Sequence, residues 1–189
     1  MQLTGVLSIG LLIAIAFLEL DNKGRVTNFD LVKKAKRLLI FWLATTVVYI
    51  LVQIAYLLDQ PLTASFDSTV IRSYLTQTSI GKSYLIQIIG IIVVLAISLK
   101  KVISTYLALL ISLIAITASI FQSHGSTSGH HGLAIGALVI HVIALSFWVG
   151  GLFGLTQLGK EHKLIALPRF SSIALWSAIT VALTGATTA

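Results

Sequence analysis

The sequence predicts an all-α integral membrane bundle of about six transmembrane helices, on three observations. Of 189 residues, 57% are hydrophobic and only 10% charged, against about 45–50% and 25% in soluble domains, so there are too few charges to coat a water-soluble globule. Six apolar stretches, each near the 20 or so residues that a helix needs to cross a bilayer, fill most of the chain. The basic residues concentrate on alternate connections. Backbone groups in lipid must be satisfied internally, and without an alternating ten-residue pattern the choice falls on helices rather than a barrel. The chain reads as one transmembrane domain, 1–189.

The first stretch is Leu3–Leu20. Met1–Gln2 carries no positive side chain, whereas Lys23, Arg25, Lys33, Lys34, Lys36 and Arg37 follow the stretch. A cleavable signal has the opposite order, so the span is expected to be retained with the amino terminus outside. Glu19, at its inner end, reads as a snorkelling interfacial carboxylate or as a counter-charge for a cation leaving the bundle. Leu38–Leu58 forms the second span. Residues 59–82 make the longest outside connection, rich in Ser and Thr, with a turn at Pro61 preceding a short interfacial helix. Ser83–Leu99, Val102–Phe121, Leu133–Leu158 and Phe170–Ala189 complete the six. The last ends without a polar anchor, which predicts that the chain is part of something longer or is completed by a partner.

Orientation follows from charge. The connections expected inside also hold Lys100, Lys101, Lys160, Lys163 and Arg169, which brings them to eleven of the thirteen basic residues; only Arg72 and Lys82 lie outside. This is the positive-inside bias. It accounts for the net charge of +7 without nucleic acid, and the Lys33–Arg37 run reads as a solvated face beside anionic headgroups.

Several chemistries are excluded. The chain has no cysteine, and its one methionine is Met1, so disulfides, thiolate sites and internal thioether ligands are ruled out. There is no Ser-His-Asp arrangement, no intramembrane carboxylate pair, no P-loop and no dinucleotide fingerprint. Enzymatic activity and ATP-driven pumping by this chain are not expected.

The remaining chemistry is histidine. Four of five histidines, His124, His130, His131 and His141, fall within eighteen positions, while His162 reads as a solvated loop residue. The first three lie in an outside connection made pliable by Gly125, Gly129 and Gly132. They could converge on a metal ion, for which imidazole suits copper, zinc, nickel or iron; they could equally be a polar surface loop. His141 lies well inside the fifth span. An ionisable side chain at that depth is a functional-site candidate, the alternative being a neutral imidazole bonded to a Ser or Thr of a neighbouring helix. On a regular helix His130, His141 and Trp148 share one face, within about 20° of each other, but His130 and His141 stand about 16 Å apart along the axis. An outer capture site with a deeper relay position fits better than a single cage. Metal binding needs neutral imidazole, so affinity is expected to fall below about pH 6.5. Two G-x-x-x-G pairs, Gly132–Gly136 and Gly150–Gly154, let helices approach closely and place the fifth helix at the centre of the bundle. Gln53, Gln87 and scattered Ser and Thr are the other intramembrane polar groups.

Ser123-His124, the membrane His141, Ser-Phe-Trp-Val-Gly-Gly at 146–151 and Arg169-Phe170-Ser171 resemble the copper resistance protein D (CopD) family, most clearly over about residues 120–189. The resemblance extends to the amino-terminal portion of actinobacterial fusions with a CtaG-like oxidase-assembly part. It implies a multi-pass protein of the bacterial cytoplasmic membrane in copper transport or homeostasis, receiving copper from a CopC-type carrier. By position, His124 and His141 match the family's histidines best, with His130 and His131 a local addition. Two alternatives accompany this reading: a b-type haem electron carrier, with His124 as His141's only candidate partner, and a cytochrome oxidase assembly factor that holds copper in transit.

Overall fold

The computed structural model describes residues 2–18, 28–99, 101–118, 120 and 131–188. Those residues are almost wholly helical and include no strand element. α1 (Gln2–Ile13) continues as a π-helical turn, Ala14–Leu18; α2 is Phe29–Leu58, α3 Ser68–Gln77, α4 Ser79–Ala96 and α5 Val102–Thr117. α6 (His131–Leu145) runs through a second π turn, Ser146–Gly150, into α7 (Gly151–Thr156), and α8 spans Lys160–Thr188. Among the described residues, four helices are long and apolar enough to cross a membrane: Phe29–Leu58, Ser79–Ala96, Ile135–Thr156 and His162–Gly185; Gln2–Phe17 and Ile103–Thr117 are shorter apolar helices. The architecture is an all-α membrane bundle.

Several helices extend beyond their apolar stretches, because local caps and polar flanks carry the helix past the lipid-facing run. Asn28 Oδ1 accepts from the Leu31 amide at 3.0 Å and so starts α2 at Phe29 rather than at Leu38. The first turns of α2 therefore hold the cationic residues Lys33, Lys34, Lys36 and Arg37, ahead of the apolar run. α2 ends where Asp59 adopts the left-handed conformation (φ 51°) and Gln60 N donates to Ala55 O, just before Pro61. After Pro61 come a 3-10 turn, Leu62–Phe66, and then the short helix α3, capped by Asp67, whose carboxylate accepts from Thr69 N at 2.7 Å. Thr78 Oγ1 accepts from Gly81 N and starts α4 directly after α3. α8 starts at Lys160, well before Phe170, with Pro168 inside it.

The centre of the bundle is α1, a correction to the expectation that the fifth helix holds it. Residues from Ile9 to Ala16 on α1 and its π turn are fully buried or nearly so, as befits a helix apolar all round. α1 packs on α2, α5, α7 and the second π turn; α4 packs on α5, α2 and α3; α6 packs chiefly along α8. One core cluster joins Ile9, Leu12, Trp42, Ile91 and Ile116, and a second joins Leu11, Ile15, Leu31, Leu155 and Phe170.

Gly136 and the Gly150–Gly154 pair behave differently. A Cβ on Gly150 would stand 2.5 Å from Val6 O, and one on Gly154 would collide with Gly10 O, so this pair lies directly on α1. Around Gly136, among the described residues, nothing lies within 4 Å of such a Cβ. Gly150 and Gly154 form a seam because α1 sets a third glycine, Gly10, against them.

Candidate functional site

α6 is regular from His131 to Leu145, which carries His141 to the middle of the 131–156 rod. Its half-buried imidazole faces α8. Nδ1 lies 3.0 Å from Thr184 Oγ1. The Thr184 hydroxyl reaches back to the Thr180 carbonyl at 2.6 Å and the Val181 carbonyl at 3.3 Å. The ring rests on the α8 backbone: a Cβ at Gly185 would be 3.7 Å from His141 Cε1. The bond to a threonine of a neighbouring helix, one of the alternatives the sequence leaves open, is thus present. It uses one ring nitrogen, and Nε2 has no hydrogen-bond partner among the described residues.

His124 and His130 lie outside the described residues, as do the side chain of His131 and Glu19. Ten residues of regular helix separate His131 from His141, about 15 Å at about 1.5 Å per residue, so these two positions serve different levels. Among the described residues no three His, Cys, Asp or Glu side chains stand together as a metal-binding group. His162 is exposed, near the start of α8.

The regular helix that a shared face of His130, His141 and Trp148 requires does not reach Trp148. Ser146–Gly150 is a π turn, which widens the helix and rotates everything beyond it; such turns recur at functional sites. Here it lets Gly150 seat on Gly10. Trp148 is 38% exposed, and its neighbour Phe147 makes the inward contact, edge-on to Phe17 at 6.4 Å.

A cleft of about 600 Å³ opens between α4, α5 and α6, lined by Leu113, Val139 and Ile143 with Ser83 and Thr117 as its polar groups. It lies at the end of the bundle where α5 leads towards residues 119–130. Val139 and Ile143 sit two places either side of His141, so at about 100° per residue they occupy the face of α6 away from α8.

A second polar site, deeper in the core, holds the fully buried Thr46 and Gln87. Gln87 Nε2 donates to Thr46 Oγ1 at 2.8 Å, and the Thr46 hydroxyl donates to Trp42 O at 2.8 Å. Gln87 Oε1 and Trp42 Nε1 are buried without a partner among the described residues. Sequence reasoning singles out Gln87 but neither threonine, because Thr46 and Thr184 stand out only through what the fold sets against them.

Two of the basic residues, Lys34 and Lys36, reach the same end of the bundle. Lys34 Nζ donates to Gln157 Oε1 at 3.2 Å and Lys36 Nζ to Leu95 O at 3.3 Å, which brings the start of α2 to the ends of α7 and α4. Lys36 thereby meets a carbonyl in the last turn of α4, where helix polarity favours a cation.

Neither a curated protein nor a solved structure matches the chain. A family match described as copper resistance protein D-like, N-terminal domain, covers residues 1–133. It takes in α1–α5 and the His124–His131 segment, and stops short of His141. As the match spans more than two thirds of the sequence, the chain belongs to this family of membrane copper-resistance proteins.

Proposed function

We propose that the chain carries copper across the bacterial cytoplasmic membrane, with the histidines at 124, 130 and 131 receiving the ion at the outer surface and His141 accepting it within the bundle. The observation that carries the reading is His141 itself: an imidazole on an apolar helix, anchored through Nδ1 to Thr184, with Nε2 unpartnered among the described residues. Intramembrane ionisable groups are costly to keep and mark pathways for ions, and membership of a copper-resistance family supports copper as that ion. The gathering of Lys34 and Lys36 with the ends of α4 and α7 supports a basic cytoplasmic end, and with it an amino terminus outside. A CopC-type carrier is the proposed donor.

The test is metal analysis of the purified chain after copper loading, beside His141→Ala and His124→Ala. Both variants are expected to retain less copper than the parent, and cells carrying His141→Ala to lose copper-dependent accumulation. Bound copper that survives both substitutions sinks the assignment.

A further inference from the structure

Resting on that reading of His141 as a copper ligand, we infer that Thr184 is a positioning residue: it holds the His141 imidazole in the Nδ1–H tautomer and so leaves the Nε2 lone pair to the metal. The inference follows from counting protons. A threonine hydroxyl has one proton and two acceptor lone pairs. Thr184 Oγ1 is 2.6 Å from the Thr180 carbonyl oxygen, and a carbonyl oxygen can only accept, so the proton is directed there. What Oγ1 presents to His141 at 3.0 Å is a lone pair. Nδ1 must therefore donate, and a neutral imidazole protonated at Nδ1 carries its lone pair on Nε2. The opposite tautomer would set two lone pairs against each other, or require Thr184 to give up its short bond to α8.

The same device occurs in the core. Thr46 donates to the carbonyl four residues earlier and accepts from Gln87 of α4, just as Thr184 donates to Thr180 and accepts from α6. In both places a back-bonded threonine fixes the polarity of a side chain on the neighbouring helix. Metal-binding histidines commonly have their second nitrogen held by an oxygen in this way, and loss of that partner costs about 10–100-fold in affinity.

The experiment uses the whole chain in lipid nanodiscs with 15N-labelled histidine. The His141 signals are identified by their loss in His141→Gln, and the ring shifts of the metal-free protein report which nitrogen is protonated. The parent and Thr184→Ser should show Nδ1–H, while the near-isosteric Thr184→Val should lose that preference. In titrations of copper against a chromophoric chelator, Thr184→Val should bind about ten-fold or more weakly, and Thr184→Ser should stay close to the parent. Thr46→Val, which removes the equivalent hydroxyl away from His141, should leave copper affinity unchanged. An Nε2–H ring in the parent, or a Thr184→Val protein that keeps its affinity, overturns the inference. Unchanged copper binding in His141→Gln overturns the ligand reading itself, and is separate from the tautomer seen in the metal-free spectra.

Discussion

Gly10 and Gly150 meet backbone to backbone, and that contact joins the α6–α7 rod to the centre of the bundle. A Cβ on Gly10 would run into the Gly150 carbonyl group, and one on Gly150 would stand 2.5 Å from Val6 O and 3.2 Å from Gly10 Cα. These obstacles are backbone atoms, which cannot turn aside as a side chain can. Gly10→Ala and Gly150→Ala are therefore expected to destabilise the fold by about 1–3 kcal/mol, the usual cost of overpacking. Gly136→Ala, with no described residue within 4 Å of its Cβ, should be neutral or stabilising by up to about 1 kcal/mol, since alanine favours helix. Thermal unfolding of the three variants in one detergent checks this, and equal midpoints would remove the seam from the account.

The contrast between Gly136 and Gly150 marks what is legible in the sequence. Helix existence is legible, because apolar runs of this length have few alternatives in lipid. So is the α3 helix after Pro61. Which glycines make a seam is not, since Gly132–Gly136 and Gly150–Gly154 are the same motif and a seam depends on what lies opposite. The π turn at Ser146–Gly150 leaves no periodic trace, so a phase of about 100° per residue cannot be carried through it to Trp148. Thr184 is 43 residues from His141 and looks like any other helix threonine. The family resemblance rests on motifs in residues 120–189, whereas the family match covers 1–133. Lipid-facing positions need only be apolar, so the early helices carry little that a short motif can show.

The Thr46–Gln87 pair predicts an asymmetry. Thr46→Val would strand Gln87 Nε2 in a fully buried site beside an Oε1 that already lacks a partner among the described residues. A buried polar group left unpaired costs about 1–3 kcal/mol, so this variant should unfold earlier than the parent. Adding Gln87→Leu removes both stranded atoms and should recover most of the loss, because replacing both partners with apolar groups is nearly neutral. A double variant less stable than Thr46→Val would mean that Gln87 has a further role in the core.

Asp67 predicts a local effect. Its carboxylate accepts from Thr69 N at 2.7 Å and Val70 N at 3.4 Å, satisfying two amides that the first turn of α3 would otherwise leave open. Asp67→Ala should cost about 1 kcal/mol of helix stability. The loss should appear as faster hydrogen exchange over residues 68–77, with exchange in α1 unchanged.

Tyr74 gives α3 a pH dependence. Burial raises its pKa above the ordinary 10.0, with a smaller contribution from Tyr49, because the packed site disfavours phenolate. In the unfolded chain the phenol ionises at its ordinary value, so the folded state binds more protons once pH exceeds about 10. The stability contributed by the neutral phenol is fully present below that pH and is lost as pH rises towards the folded value. Tyr74 packs with Ile50, Ile54 and Tyr84, so ionisation should free α3 from α2 and α4. The phenolate absorbance difference between the parent and Tyr74→Phe should show a step above about pH 10, and Tyr74→Phe should hold its helicity to higher pH. A difference step at or below that ordinary value would mean that Tyr74 is open to water and that α3 does not pack on the bundle as described.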